Sequence, residues 1–225
     1  RACQCGLATS LRWTPRRAAS GTAACGSRFW GRTSRRWRGV HGRKLAPAGY
    51  AGLVERRWGG AQNPKNMSLG EVGCCLSHRK VWSMMVEQDI DVAMVLEDDA
   101  STFDPHFLRI LQHLLQHTPS DWGILLLGFW LKNGLNGYAV NQYVHRIYDF
   151  VLLHCYLITK AAAQALLRLA PIHGPLDTWI SQQSSSVPIY RHTYELQPGH
   201  VKYLPLHSRL VLQQFDTSEI GEHTN

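Results

Sequence analysis

Three consecutive carboxylates, Glu97-Asp98-Asp99, follow the apolar run Ala93-Met94-Val95-Leu96. Like charges side by side repel, so the run costs stability unless a cation sits among them. If the apolar run is a strand, alternation sends Glu97 and Asp99 to one side and Asp98 to the other. Two carboxylates on one side offer hard oxygen ligands suited to Mn²⁺ or Mg²⁺. Such an ion offsets the repulsion and can hold a diphosphate, whose charge needs neutralising when it leaves. Acidic residues that merely solvate and tie down a turn have the same composition. Spacing alone does not separate the two.

The elements that must position this triplet can be read from either side of it. Ser68 and Glu71 have the spacing of a capping box, and Val72, Cys75, Leu76, Trp82, Met85 and Val86 follow at helical intervals, ending near Gln88. Asp91 to Leu96 reads as a strand that is apolar on both faces, hence covered on both. Asp104-Pro105 opens a second helix with Asp as cap and Pro at the first helical position. Residues 121–128 read as another buried strand, followed by an Asn- and Gly-rich loop over 132–142. Tyr148 to Thr159 is a third strand and Lys160 to Leu169 a helix. His173 to Ile180 opens a short helix, Ser184 to Ser186 a turn, and Val187 to Glu219 short strands and loops. This alternation predicts an α/β fold, with a mostly parallel central sheet flanked by helices. Ligands of such sheets bind beyond the carboxyl ends of the strands, which is where the triplet lies.

The stretch from Ser68-Leu-Gly-Glu-Val-Gly-Cys-Cys-Leu-Ser-His78 through Trp82 to Val95-Leu-Glu-Asp-Asp99 resembles glycosyltransferase family 25. Further segments match in order: Arg38 to Leu45, Asp121 to Gly128, Tyr156 to Lys160 with Ala163, Leu166 and Leu167, Pro175-Leu-Asp177, and Gln213 or Gln214 with Ser218-Glu219-Ile220. The resemblance covers residues 37–220. That family includes lipooligosaccharide galactosyltransferases of bacteria and collagen galactosyltransferases of animals.

The resemblance implies a GT-A-like fold, a UDP-sugar donor and a divalent metal, Mn²⁺ or Mg²⁺. The sugar, galactose in most of the family, would pass to a hydroxyl of a glycan, lipooligosaccharide or hydroxylated protein. Glu97 and Asp99 would hold the metal and sugar donor, with Asp98 supporting the nucleotide. His78 faces the sugar donor if it acts as the motif implies. Its helical position also suits a buried histidine satisfied by one hydrogen bond. Asp177 is the candidate base for the acceptor hydroxyl. It equally suits a helix cap after Pro175, or a further metal or acceptor ligand. Trp82 reads as core. His207 invites comparison with the late metal-binding histidine of GT-A enzymes, although no family motif stands there. Residues 1–36 do not show the buried first strand and Arg-containing turn of the family, so the N-terminal part is expected to be incomplete.

Charge divides the chain in the same place. Of its 225 residues, the first 60 hold 13 Lys and Arg against Glu55 alone, a balance of +12. The remainder holds 11 basic and 15 acidic residues, a balance of −4. Residues 1–45 are accordingly a basic, poorly patterned leader, degraded or disordered in character. Residues 46–225 form one catalytic domain. The leader lacks aromatic–basic interleaving on strands, so no nucleic acid is expected. No apolar run nears the ~20 residues of a membrane span, which leaves only peripheral membrane association. The six cysteines show no zinc-finger spacing or disulfide framework. Cys75 and Cys155 read as small buried hydrophobes. Cellular location depends on source: the cytoplasmic face of a membrane for a bacterial chain, the secretory lumen for an animal one. The competing class is a catalytically impaired relative that serves as a binding or scaffold module.

Overall fold

The computed structural model describes residues 7–12, 31–35, 39–103, 106–131, 136–193 and 210–213. The expected helix start at Asp104-Pro105, His207 and the Ser218 to Ile220 match lie outside these residues. In chain order the elements are β1 (Leu7–Arg12), β2 (Gly31–Arg35), β3 (Val54–Glu55), β4 (Arg57–Trp58), β5 (Lys65–Asn66) and α1 (Leu69–Glu87). Then come β6 (Val92–Leu96), β7 (Ala100–Phe103), α2 (Phe107–His117), β8 (Ile124–Trp130), β9 (Gly137–Ala139), β10 (Val144–Ile147) and β11 (Val151–Thr159). The last are α3 (Lys160–Arg168), β12 (Ile172–His173), α4 (Leu176–Gln182), β13 (Ile189–His192) and β14 (Val211–Gln213).

Eight strands form one sheet in the order β2-β1-β6-β11-β8-β13-β10-β9. The sheet is mixed and mostly antiparallel, not mostly parallel as expected: only β8 and β13 pair in parallel within it. The reason is the placement of β11. The strand–helix–strand run β6-α2-β8 does make β6 and β8 point the same way. However, β11 slots between them and runs antiparallel to both. The β9 and β10 pairing, within and after the expected loop, extends the far edge. Towards the other edge, which is β2, β1 pairs antiparallel with β6, Leu7 opposite Leu96. Its Ser, Thr and Arg content gives it no apolar run to mark it as a strand.

Alternation divides the core. Ala93, Val95, Ile124, Leu126, Tyr156 and Ile158 join the cluster that includes α1, α3 and α4 residues. Met94, Leu96, Leu125, Leu127, Cys155 and Leu157 face the other way, with Phe107, Leu111 and Leu114 of α2. Both faces are therefore covered, which is why these strands carry almost no polar residues despite being antiparallel.

Helix α1 starts as its sequence predicts. Ser68 Oγ accepts from Glu71 N at 3.2 Å and Glu71 Oε2 accepts from Ser68 N at 2.6 Å, a complete capping box. The segment leading into the 3-10 turn Gly42–Lys44 crosses this helix at close range. A Cβ on Gly73 would lie 2.6 Å from Val40 O and 2.8 Å from Gly42 N, so only glycine permits the crossing. Ser77 then fixes it: its hydroxyl accepts from Val40 N at 2.7 Å and donates to Gly73 O at 2.7 Å. Among the described residues, no helix is long and apolar enough to cross a membrane.

Candidate functional site

Strand β6 ends at Leu96, and the next four residues turn, with Ala100 N donating to Glu97 O at 3.2 Å. Leu96 faces α2, so the step to Glu97 aims its carboxylate at α1. Glu97 and Asp99 are each 8% exposed, while Asp98 between them is exposed. The backbone of Glu97 is anchored too, its N–H donating to His154 O of β11 at 3.0 Å.

Glu97 Oε1 is met by two side chains from α1. His78 Nε2 lies 3.2 Å away and Cys74 Sγ 4.0 Å away. Cys74 and His78 are four residues apart, hence neighbours on one helical face. Beyond the imidazole, His78 Nδ1 lies 2.8 Å from Tyr156 Oη, and Trp82 Nε1 donates to the same oxygen at 3.1 Å. Indole N–H can only donate. We assign the chain as Trp82 N–H to Tyr156 oxygen, Tyr156 O–H to His78 Nδ1, and His78 Nε2–H to Glu97. The Tyr156 and His78 rings stack with centroids 5.7 Å apart, and Trp82 stacks on Trp179 of α4 at 6.5 Å. His78, Trp82 and Tyr156 are fully buried. Burial, and then the Glu97 charge, raise the nearby Cys155 thiol far above its ordinary range.

Asp177 lies in the first turn of α4, but the capping position is Pro175 and no side chain caps this helix there. Its carboxylate instead binds backbone: Oδ2 accepts from Leu152 N at 2.8 Å and Oδ1 from Thr178 N at 2.6 Å. Leu152 has φ of 63°, a left-handed conformation unusual for a branched residue. Desolvation pushes the Asp177 carboxyl above its ordinary value and the Glu71 charge adds to this, while the bonds from Leu152 and Thr178 oppose it. Strand β11 thus connects both places, holding Asp177 at Leu152 and Glu97 at His154.

Of the five residues singled out from sequence, the structure joins His78 to Glu97 directly. Asp98 and Asp99 belong to the same turn as Glu97, and Asp177 bonds elsewhere. None of the five lines the cavity against α2 bounded by Arg109, Ile110, His113, Leu114, Tyr143 and Thr193. Two members of the cluster escape the sequence reading, Cys74 and Tyr156. The four-residue interval from Cys74 to His78 was a usable signal. So was a tyrosine inside an apolar strand, since a buried phenol requires a partner.

Cys74, His78 and Glu97 each offer a ligand atom, all within 4.8 Å of one another and all buried. Glu97 and Asp99 offer oxygen ligands alone. The two sets share Glu97 and differ in hardness, the first suited to zinc-like ions and the second to Mg²⁺ or Mn²⁺.

The family model described as glycosyltransferase family 25 (LPS biosynthesis protein) matches residues 50–180. Procollagen galactosyltransferase 1-B of Xenopus laevis is 33% identical over 199 residues, 81% of this chain and 31% of that protein. Procollagen galactosyltransferase 1 of Danio rerio is 30% identical over 134 residues, 55% of this chain and 22% of that protein. The probable inactive glycosyltransferase 25 family member 3 of Bos taurus is 28% identical over 132 residues, 54% of this chain and 22% of that protein. The chain therefore spans between about a fifth and a third of the length of these relatives. With the family model covering more than half of the chain, and the Gly73, Ser77 and His78 contacts giving its motif a structural reason, the chain belongs to glycosyltransferase family 25.

Proposed function

We propose that the chain carries the sugar-donor site of a metal-assisted hexosyltransferase, moving galactose from a UDP-sugar to a hydroxyl of a glycan or hydroxylated protein. The single observation that supports this most is the buried–exposed–buried carboxylate turn at the end of β6. Two oxygen-bearing side chains withdrawn from water, with an exposed third between them, suit a hard divalent ion better than a solvated turn does. Glu97 and Asp99 would hold Mn²⁺ or Mg²⁺. When bound, the ion supplies charge neutralisation for a leaving diphosphate. A GT-A-like arrangement is part of the same proposal.

The chain's own residues supply the rest. His78 steadies Glu97 from behind, so the carboxylate need not reorganise on binding. Asp98, exposed between Glu97 and Asp99, would meet the nucleotide. Asp177 is the candidate base: the residue is half-buried with its carboxyl desolvated, and the raised affinity for a proton that follows suits removal of one from an acceptor hydroxyl. Its Oδ1 accepts from both Thr178 N and Thr178 Oγ1, so Oδ2, which accepts only from Leu152 N, carries the lone pair left for an acceptor proton.

Calorimetry with UDP, with and without Mn²⁺, tests this. Binding is expected only with the metal and is expected to disappear in Asp99→Ala. Metal-independent binding, or binding unchanged by that substitution, contradicts it. A second reading, a binding module without catalysis, draws support from the backbone bonds that occupy Asp177 and from the relative named as inactive. Sugar release from a panel of UDP-sugars separates the two: a module binds UDP and releases none.

A further inference from the structure

We propose that Cys74, His78 and Glu97 form a zinc-type site, distinct in ligand chemistry from the all-oxygen pair Glu97 and Asp99. Three different elements of chemistry converge there: a thiol, an imidazole and a carboxylate. Their spacing suits a tetrahedral ion. With zinc bonds of ~2.0 Å to nitrogen and oxygen and ~2.3 Å to sulfur, the tetrahedral edges are ~3.3 Å between N and O and ~3.5 Å between S and O. The observed separations are 3.2 Å from His78 Nε2 to Glu97 Oε1 and 4.0 Å from Cys74 Sγ to Glu97 Oε1. The first fits as it stands, and the second needs a movement of about half an ångström.

The surroundings are those of a ligating histidine. A metal-bound imidazole is oriented by a hydrogen bond at its other nitrogen. Tyr156 Oη occupies that place, 2.8 Å from His78 Nδ1, and is itself fixed by Trp82. On binding, the Cys74 thiol proton leaves to solvent. The His78 proton moves from Nε2 to Nδ1 and is donated to Tyr156 Oη, whose own hydroxyl hydrogen rotates away from the ring nitrogen, and the Nε2 lone pair faces the ion. Three protein ligands leave a tetrahedral ion one position short, which a water molecule or a further ligand would complete.

The zinc-type site stands on this geometry alone. Its consequence rests on the proposed function: a borderline ion on Cys74 and His78 takes Glu97 from the sugar-donor pair, so zinc opposes Mn²⁺-dependent UDP binding.

The test is a Co²⁺ titration of the chelator-stripped full chain. We expect visible bands of tetrahedral cobalt together with a thiolate-to-cobalt charge-transfer band, both bleached by Zn²⁺. Cys74→Ser should remove the charge-transfer band. A variant carrying Cys3→Ser, Cys5→Ser and Cys25→Ser together should keep it. Tyr156→Phe should weaken zinc affinity about 10–100-fold. X-ray absorption of the zinc-loaded unaltered chain should show one sulfur at ~2.3 Å among N/O ligands, which keeps the test open if Cys74→Ser fails to fold. A band that survives Cys74→Ser, a band lost from the triple variant, or a shell without sulfur overturns the proposal. UDP calorimetry keeps the two claims apart. Cobalt bands without any Mn²⁺-dependent UDP binding refute the sugar-donor site and leave the zinc-type site standing. UDP binding without the bands does the reverse.

Discussion

The His78 imidazole and the Glu97 carboxylate meet 3.2 Å apart inside the protein, tying the middle of α1 to the turn after β6. Glu97 is an acid that water hardly reaches, so the imidazole replaces hydration it has lost. This pair explains why a helix residue and a strand-end residue belong to one motif: the first holds the second in place and aimed.

Removing the partner should therefore be felt twice. His78→Phe keeps a ring in place but removes the imidazole bond to the buried Glu97 carboxylate, and should cost about 1–3 kcal/mol in urea unfolding. Tyr156→Phe removes the next link of the same chain. Because the two share one network, their effects should not add, with a coupling of about 0.5–3 kcal/mol in a double-mutant cycle. Strict additivity would show that the chain from Trp82 to Glu97 does not act as a unit.

Asp98→Asn gives a contrasting outcome. The side chain is exposed, so stability should remain within about 0.5 kcal/mol. Mn²⁺-dependent UDP affinity should still fall if Asp98 meets the nucleotide as proposed, because its charge is gone. Unaltered affinity in calorimetry would remove Asp98 from the sugar-donor site.

Gly73→Ala probes the crossing of the 39–42 segment over α1. The added methyl would press on backbone atoms of Val40 and Gly42, which cannot rotate away as a side chain tip can. The strain should cost about 1–3 kcal/mol, and Ser77→Ala should lower stability further by freeing Val40 N. Thermal unfolding of both variants measures this. A neutral Gly73→Ala would mean that the segment shifts freely.

Local signals were legible and long-range ones were not. The capping box placed the start of α1 because Ser68 and Glu71 satisfy each other within four residues. The apolar run before Glu97 gave β6 for the same reason. The direction of the sheet depended on β11 inserting between β6 and β8, a pairing that no short-range pattern records. Strand β10 was hidden by His145 and Arg146. The latter is buried against the Tyr190 ring at 5.1 Å, with a bond to Ser184 O, so a charged residue fills a core position. Within the site, the pairing of acids with a metal came from charge repulsion and the resemblance. The inward turn of Glu97 onto Cys74 and His78 needed coordinates.

Asp177 supplies a prediction in pH. Its carboxyl is raised above the ordinary 3.8, chiefly by desolvation. Between 3.8 and the raised value, the folded protein binds this proton more tightly than the unfolded chain does. By linkage, the Asp177 contribution to stability grows as pH falls through that window and is lost as pH rises through the raised value. Asp177→Asn is neutral throughout, so urea midpoints of the two proteins should diverge in favour of the wild type on acidification. A difference that stays flat would show an ordinary carboxyl. The same shift bears on its proposed role as a base, which requires the ionised form. Sugar transfer should fall away on the acid side at a higher pH than an ordinary carboxylate would set, and that limb should be missing from the residual activity of Asp177→Asn. If the limb persists in the variant, another group takes the acceptor proton, and Asp177 serves to hold Leu152 in its left-handed turn.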